Sequence, residues 1–248
     1  MMNSLQSCKA SGKESEEIMK IIDLSQEIYP GMPVFNGHPE VRMKPAVTHE
    51  QRDGIENPTT VSPVVHEIIL GEHTGTHVDA INHFGRVHFG KSIDKMPLET
   101  FYTEGICLDF SGKKLLEFID VDEIKAELER EGKEIRKGDT VLFYTDHYRR
   151  YYETDQWNNG PGVTPEVARW LGGLGVAAFG VEPRSPGVLG KGNKEIHTIC
   201  GELNYPHYEN LINLQLLVPY KRFRFIAFPL KFRDGTGSPV RAVAIVEE

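Results

Sequence analysis

The sequence predicts a mixed α/β fold in a single domain, and three observations carry that expectation. Short apolar runs rich in β-branched and aromatic residues recur from residue 20 to residue 246, so strands dominate. Only two segments carry full helix punctuation at both ends. No repeat, low-complexity stretch or composition break divides the 248 residues, although that length would also accommodate two ordinary domains. The domain is therefore placed at 19–248, behind a polar leader at 1–18 that is expected to fray.

In chain order, K-I-I-D-L-S-Q-E-I (20–28) reads as a strand, and Y-P-G-M-P (29–33) forces a turn after it. V-S-P-V-V-H-E-I-I-L (61–70) is β-branched and apolar, which predicts a buried strand. Residues 105–110 read as another strand. The segment 120–132 is an amphipathic helix, capped by Asp120 or Asp122 and stopped by Gly132. T-V-L-F-Y-T (140–145) is a buried strand. Residues 164–175 form a second helix, with Thr164 as N-cap, Pro165 at the first position and glycines at the end. V-A-A-F-G-V (176–181) is a strand. The stretch 183–193 is rich in Gly and Pro and reads as a loop; Arg184 could pair there with a substrate carboxylate, but is expected at the surface. H-Y-E-N-L-I-N-L (207–214) could start a helix or an extended segment, and 222–230 and 240–246 read as closing strands. Helix-poor stretches between strands argue against a simple doubly wound sheet.

Charge and composition exclude several function classes. The net charge of −8 gives no basic face for nucleic acid. No apolar run is long enough to span a bilayer, and the polar N-terminus has no apolar core of a secretory signal. The three cysteines, Cys8, Cys107 and Cys200, show no paired spacing, which suggests reduced thiols and a cytoplasmic setting. No glycine-rich phosphate loop or dinucleotide fingerprint is present.

The chemistry concentrates in G-E-H-T-G-T-H-V-D-A-I-N-H-F-G (71–85). Three of the chain's ten histidines and one aspartate fall between His73 and His83, where an even spread would place fewer than one histidine. Thr74, Thr76 and Val78 disfavour a helix, so the segment is expected to be extended. Alternate residues of an extended segment share a face. That would gather His73, His77 and Asp79 on one side, with Gly75 leaving an open place among them. Two imidazoles and a carboxylate suit Zn2+ or Mn2+, and three protein ligands leave a position free for catalysis. His83 lies just beyond as a candidate general acid or base. His38, His49, His88 and His147 read as ordinary residues, while His66 could face the site from the preceding strand.

These residues resemble a known family. H-T-G-T-H-V-D-A-x-x-H is similar to the signature of the cyclase family of metal-dependent hydrolases, which includes bacterial kynurenine formamidase and isatin hydrolase. The similarity extends from D-L-S-Q-E-I-Y-P-G-M-P-V-F-N-G-H-P (23–39) to S-P-V-R-A-V (238–243). One departure is Ile81, where the family commonly has proline, which changes local rigidity before His83.

The resemblance implies a compact domain with a barrel-like β core, flanking helices (the swivelling β/β/α type) and assembly as a homodimer or homotetramer. It implies that His73, His77 and Asp79 hold one metal, that Asp79 bridges to a second held by His197 and Glu209, and that His83 moves the proton. One or two ions of Zn2+ or Mn2+ would be bound per chain. It places Tyr29 and Phe35 beside a flat aromatic substrate, with ordinary packing beside the turn as the equal alternative, while Trp157 sits on a loop where it could form a lid or cover apolar surface. The implied activity is cleavage of a C–N bond in a small amide, above all N-formylkynurenine to kynurenine and formate in tryptophan catabolism. An isatin-type cyclic amide hydrolase and a metal-dependent polyketide-type cyclase are the alternatives, and a metal-binding protein without turnover is the reading from another class.

Overall fold

The computed structural model describes residues 19–54 and 61–247. The leader at 1–18, with Cys8, lies outside the described residues. Thirteen strands run in the order β1 (Met19–Asp23), β2 (Arg42–Val47), β3 (Val65–Ile69), β4 (His77–Asp79), β5 (Tyr102–Asp109), β6 (Phe118–Ile119), β7 (Thr140–Tyr144), β8 (Gly162–Val163), β9 (Ala178–Val181), β10 (His207–Glu209), β11 (Phe223–Ile226), β12 (Gly237–Pro239) and β13 (Val243–Glu247). Five α-helices accompany them: α1 (His49–Asp53), α2 (Val121–Glu131), α3 (His147–Tyr151), α4 (Pro165–Leu174) and α5 (Asn193–Leu203).

Nine strands form one mixed sheet in the order β1-β13-β11-β5-β7-β9-β10-β4-β12. Its centre, β5, β7, β9 and β10, is parallel, and the flanking pairs are antiparallel. The sheet curls strongly into a half-barrel. The curl brings the continuation of β1 back across the sheet, where Ser25 bridges Leu211 and Ile212 N–H donates to the Leu24 carbonyl at 3.0 Å. The mixed α/β domain with a barrel-like core that the resemblance implied is therefore present.

Strand parity sorts the core into two layers. On β5 and β7, Cys107 and Leu142 point into the curl, where they meet Val78, Tyr208 and Phe225. Their neighbours Ile106, Leu108, Val141 and Phe143 point the other way, under Ile124 of α2, Val167 and Leu171 of α4, and Ile196 and Ile199 of α5. Burial on both faces explains why these central strands read as continuous apolar runs. The helix ends follow local chemistry. Asp120 and Glu123 form a reciprocal capping box at α2, and Thr164 caps α4. Gly132 and Gly175 stop them in left-handed conformation.

Two expectations need correction, and one open alternative is decided. The run 61–70 contains a strand, but β3 is exposed along its whole length, with Ile68 51% exposed. It pairs only with β2 in a two-stranded ribbon, and nothing among the described residues covers its apolar side chains. The punctuation also found only two of the helices. α5 begins at Gly192, with no side-chain cap, so it carries no start signal. Finally, 207–214 opens as a strand, β10.

Candidate metal centre

The centre lies on the helix-covered face of the sheet, and strand register builds it. Val78 of β4 and Tyr208 of β10 both point into the curl. Their neighbours must then point out of it: His77 and Asp79 from β4, His207 and Glu209 from β10. The two strands are antiparallel, with Tyr208 opposite Val78 and Glu209 opposite His77. One step along that register sets His207 across from Asp79. α5 lies over this face and adds His197. The motif's remaining histidines arrive from outside the strand. His73 comes from a turn over residues 72–76, and His83 from a 3-10 turn at Ile81–Phe84.

Only residues 77–79 of the motif are thus a strand, and alternation alone does not explain His73. Gly75 is the reason. It sits at φ +60°, a left-handed conformation that favours glycine, and a side chain there would meet Ile28 at 3.3 Å. The turn it makes folds His73 back over the strand. Its carbonyl accepts from His77 Nδ1 at 2.8 Å and from Asn210 Nδ2 at 3.0 Å. Gly75 is therefore a hinge for the ligand set rather than an open place within it.

Two groups of donor atoms converge on Asp79. His73, His77 and Asp79 form one; Asp79, His197, His207 and Glu209 form the other. Around Oδ1 lie His73 Nδ1 at 2.6 Å and His77 Nε2 at 3.4 Å. Around Oδ2 lie His207 Nε2 at 3.3 Å, His83 Nε2 at 3.6 Å and His197 Nε2 at 3.7 Å. Glu209 spans both groups as well, with Oε2 at 3.4 Å from His77 Nε2 and Oε1 at 3.3 Å from His207 Nε2.

These residues fit a divalent ion on three counts. Ligands placed tetrahedrally at about 2.1 Å from an ion are separated by roughly 3.4 Å, and most of the spacings above fall close to that. The rings are also oriented for it. His77 and His197 each bond a backbone carbonyl through Nδ1, at Gly75 and at Asn193, which leaves Nε2 facing the cluster. Lastly, the donor set is all imidazole and carboxylate with no thiolate, a set that suits a divalent metal ion.

Electrostatics within the cluster are extreme because His77, Asp79, His207 and Glu209 are buried. Burial would lift the Asp79 carboxyl, but hydrogen bonding with His207, His73 and His77 holds it well below its ordinary range. Glu209 is drawn down to about 2 against the same burial by His207 and His77. Burial would depress His77, yet Asp79 and Glu209 raise it to about 10. His83 behaves differently: burial lowers it to about 4, opposed only in part by the charge of Asp79. Its ring is one-third exposed and centred 4.3 Å from the His73 ring. It is the neutral imidazole at the rim of a charged cluster.

The family model described as "Putative cyclase" matches residues 22–187, most of the chain. The chain belongs to that cyclase family. Isatin hydrolase of Roseibium aggregatum is 30% identical over 195 residues, 72% of this chain and 73% of that protein. Kynurenine formamidase of Salinibacter ruber is 26% identical over 227 residues, 91% of this chain and 97% of that one. Among solved structures, isatin hydrolase A from Labrenzia aggregata bound to benzyl benzoate superposes with a TM-score of 0.80 at 26% identity, covering 93% of this chain and 94% of that chain.

Within this member of the cyclase family, the cluster brings together all six motif residues read from sequence: His73, His77, Asp79, His83, His197 and Glu209. It adds His207, which sequence reasoning passed over although it shares β10 and its outward face with Glu209. Above the cluster opens a cavity walled by Phe35, His38 and Arg184 among others. Two corrections follow. His38 faces this cavity, its ring 5.9 Å from that of His73. Arg184 is 7% exposed and lines the cavity instead of facing solvent.

The three aromatic candidates separate. Phe35 lines the cavity. Tyr29 does not; its hydroxyl bonds Tyr152 at 3.1 Å and the Glu153 carboxylate. Trp157 is 3% exposed and stacks on His147 at 4.9 Å, closed in by Tyr148 and Tyr152. The Trp157 ring belongs to a buried aromatic cluster, which is where its apolar area is best satisfied. His66 lies exposed on the β2–β3 ribbon, paired with Pro45, outside the site.

Proposed function

We propose that this chain is a metal-dependent hydrolase that cleaves the C–N bond of a small amide, with N-formylkynurenine the first expected substrate. The observation that carries the reading is the paired donor set on Asp79 at the floor of a cavity, with His83 at its rim. A divalent ion in such a set, Zn2+ or Mn2+, yields a nucleophile from water at neutral pH and polarises a carbonyl. His73, His77 and Asp79 would hold one ion, and Asp79, His197, His207 and Glu209 a second.

The chain's own groups supply the rest. His83 is neutral near pH 7, so its Nε2 can accept a proton from water. As the water oxygen bonds to the carbonyl carbon and the C–N bond breaks, that proton passes to the departing nitrogen, and acid and amine leave. Phe35 offers a flat apolar wall to an aryl substrate. His38, lowered by burial and by the neighbouring His73, stays neutral and adds a polar edge without a charge.

The kynurenine formamidases among the relatives support a linear formamide, and the isatin hydrolases support a cyclic amide as the second reading. The test is hydrolysis of N-formylkynurenine and of isatin by metal-loaded and by chelator-treated protein. Cleavage that persists after exhaustive metal removal overturns the proposal. Product mass separates hydrolysis, which adds one water, from cyclisation. A homodimer or homotetramer and a cytoplasmic setting belong to the same reading. The uncovered apolar residues of the β2–β3 ribbon, Val65, Ile68 and Met43, support the assembly, which light scattering checks. No helix among the described residues is long and apolar enough to cross a membrane.

A further inference from the structure

We infer that Arg184 recognises a carboxylate on the substrate, so that the preferred amides of this enzyme carry an acidic group. The inference rests on the amide-hydrolase reading and names its substrate class.

Arg184 sits between β9 and α5 on the wall of the cavity that holds the Asp79 cluster. It is 7% exposed. A guanidinium that deep is normally paired, because burying an unpaired charge is expensive. Among the described residues, Arg184 has no carboxylate partner. Its one hydrogen bond runs from Nη1 to the neutral Asn158 Oδ1 at 2.6 Å. Its Nε–H is buried with no acceptor at all. The nearby acid Glu209 is not free to pair with it, since its two oxygens face His77 and His207.

The guanidinium is nevertheless held in place. Its carbon lies 5.4 Å from the centre of the Phe35 ring, and Asn158 fixes the Nη1 end. A guanidinium held on a cavity wall without a carboxylate partner suits the two oxygens of a carboxylate. The charge balance of the cavity agrees. Asp79 and Glu209 together offset one divalent ion, so Arg184 leaves the loaded cavity net positive, and a second ion makes it more so. Phe35 contacts both Arg184 and His38, and His38 neighbours His73, so an aryl amide packed against Phe35 would lie within reach of Arg184 and of the donor cluster.

The experiment compares formanilide with 2-, 3- and 4-formamidobenzoate, which differ from it only by a carboxylate. With metal-loaded wild-type chain, at least one acidic isomer should exceed formanilide in kcat/KM by about tenfold or more, mainly through KM. In Arg184→Gln that ratio should fall towards one, and Arg184→Lys, which keeps the charge but not the fork, should lie between. Equal use of formanilide and all three acids, or a preference that survives Arg184→Gln, overturns the inference while leaving the hydrolase reading intact. A second measurement needs no turnover. Benzoate, with benzamide as the neutral control, is titrated calorimetrically into chelator-treated wild type and both variants, whose folding is checked by circular dichroism. Benzoate binding weakened about tenfold in Arg184→Gln supports the assignment. Absence of benzoate binding to wild type, or equal binding to both, overturns it. Failure of all four amides to react would count against the hydrolase reading alone, and the titration would still decide the role of Arg184.

Discussion

Asp79 Oδ2 lies 3.3 Å from His207 Nε2, across two antiparallel strands whose register sets these residues face to face. The other oxygen of the same carboxylate lies 2.6 Å from His73 Nδ1. Asp79 is thus shared between two donor groups, and His207 joins the second of them from β10. Its ring is fully buried and stacked on Phe84 at 5.2 Å. Replacing His207 with Ala should weaken metal binding by about 100-fold or more, beyond the 10- to 100-fold typical of residues that only orient a ligand. Competitive chelator titration and metal analysis of the dialysed protein measure it. His88→Ala, outside both donor groups, serves as control. Wild-type metal content in His207→Ala would make His207 a packing partner of Phe84 instead.

His83 is expected to separate from the ligands. Its Nε2 lies 3.6 Å from Asp79 Oδ2, yet it belongs to neither donor group and its ring is the most open of the cluster. His83→Ala should keep full metal content while kcat for the amide falls by about 10²- to 10⁴-fold, the usual contribution of a positioned acid or base. Loss of metal in parallel with activity would instead make His83 a ligand.

Much of the site was legible because its chemistry is local. His73, His77, Asp79 and His83 fall within one short motif, and even there the correct grouping came partly for the wrong reason: Gly75 turns the chain, so His73 arrives by a fold-back and not by alternation. His207 was recoverable. Had 207–214 been assigned as a strand, parity would have placed His207 beside Glu209. α5 was harder, since it begins at a glycine without a capping side chain and carries Gly201 inside it. β3 shows the converse limit. An apolar run announces a strand but not what covers it, and this strand is exposed on both faces among the described residues. Arg184 was misplaced for the same reason: only the fold shows that a Gly/Pro-rich loop runs beneath the surface, where residues 183–188 are all buried.

Phe35 and Trp157 should respond to truncation in opposite ways. Phe35 is 37% exposed on the cavity wall, so Phe35→Ala should raise KM for an aryl amide while leaving the melting temperature nearly unchanged. Trp157 is buried against His147, Tyr148 and Tyr152, so Trp157→Ala should cost about 3–5 kcal/mol of stability. Its KM should change little at a temperature where the variant remains folded. Urea denaturation beside steady-state kinetics separates the two. A selective rise of KM in Trp157→Ala without loss of stability would return Trp157 to the substrate site.

Glu182 makes the stability of the fold depend on pH in a direction opposite to most carboxylates. It follows β9 and is fully buried. Three donors converge on Oε2, the Thr145 N–H at 2.7 Å, the Thr145 hydroxyl at 2.9 Å and the His147 N–H at 3.2 Å, while Oε1 has no partner among the described residues. Burial prevails over those bonds and pushes the carboxyl up from 4.5 to about 7. The folded state therefore holds its proton more tightly than the unfolded chain. The stabilisation is fully present below the unfolded pKa and is lost as pH rises through about 7, a change of roughly 3 kcal/mol. Glu182→Gln cannot ionise and should lack that slope. Urea midpoints for both proteins should nearly coincide at about pH 5 and favour the variant at about pH 8. An offset that stays constant across this range would mean that Glu182 titrates in the fold as it does in the unfolded chain.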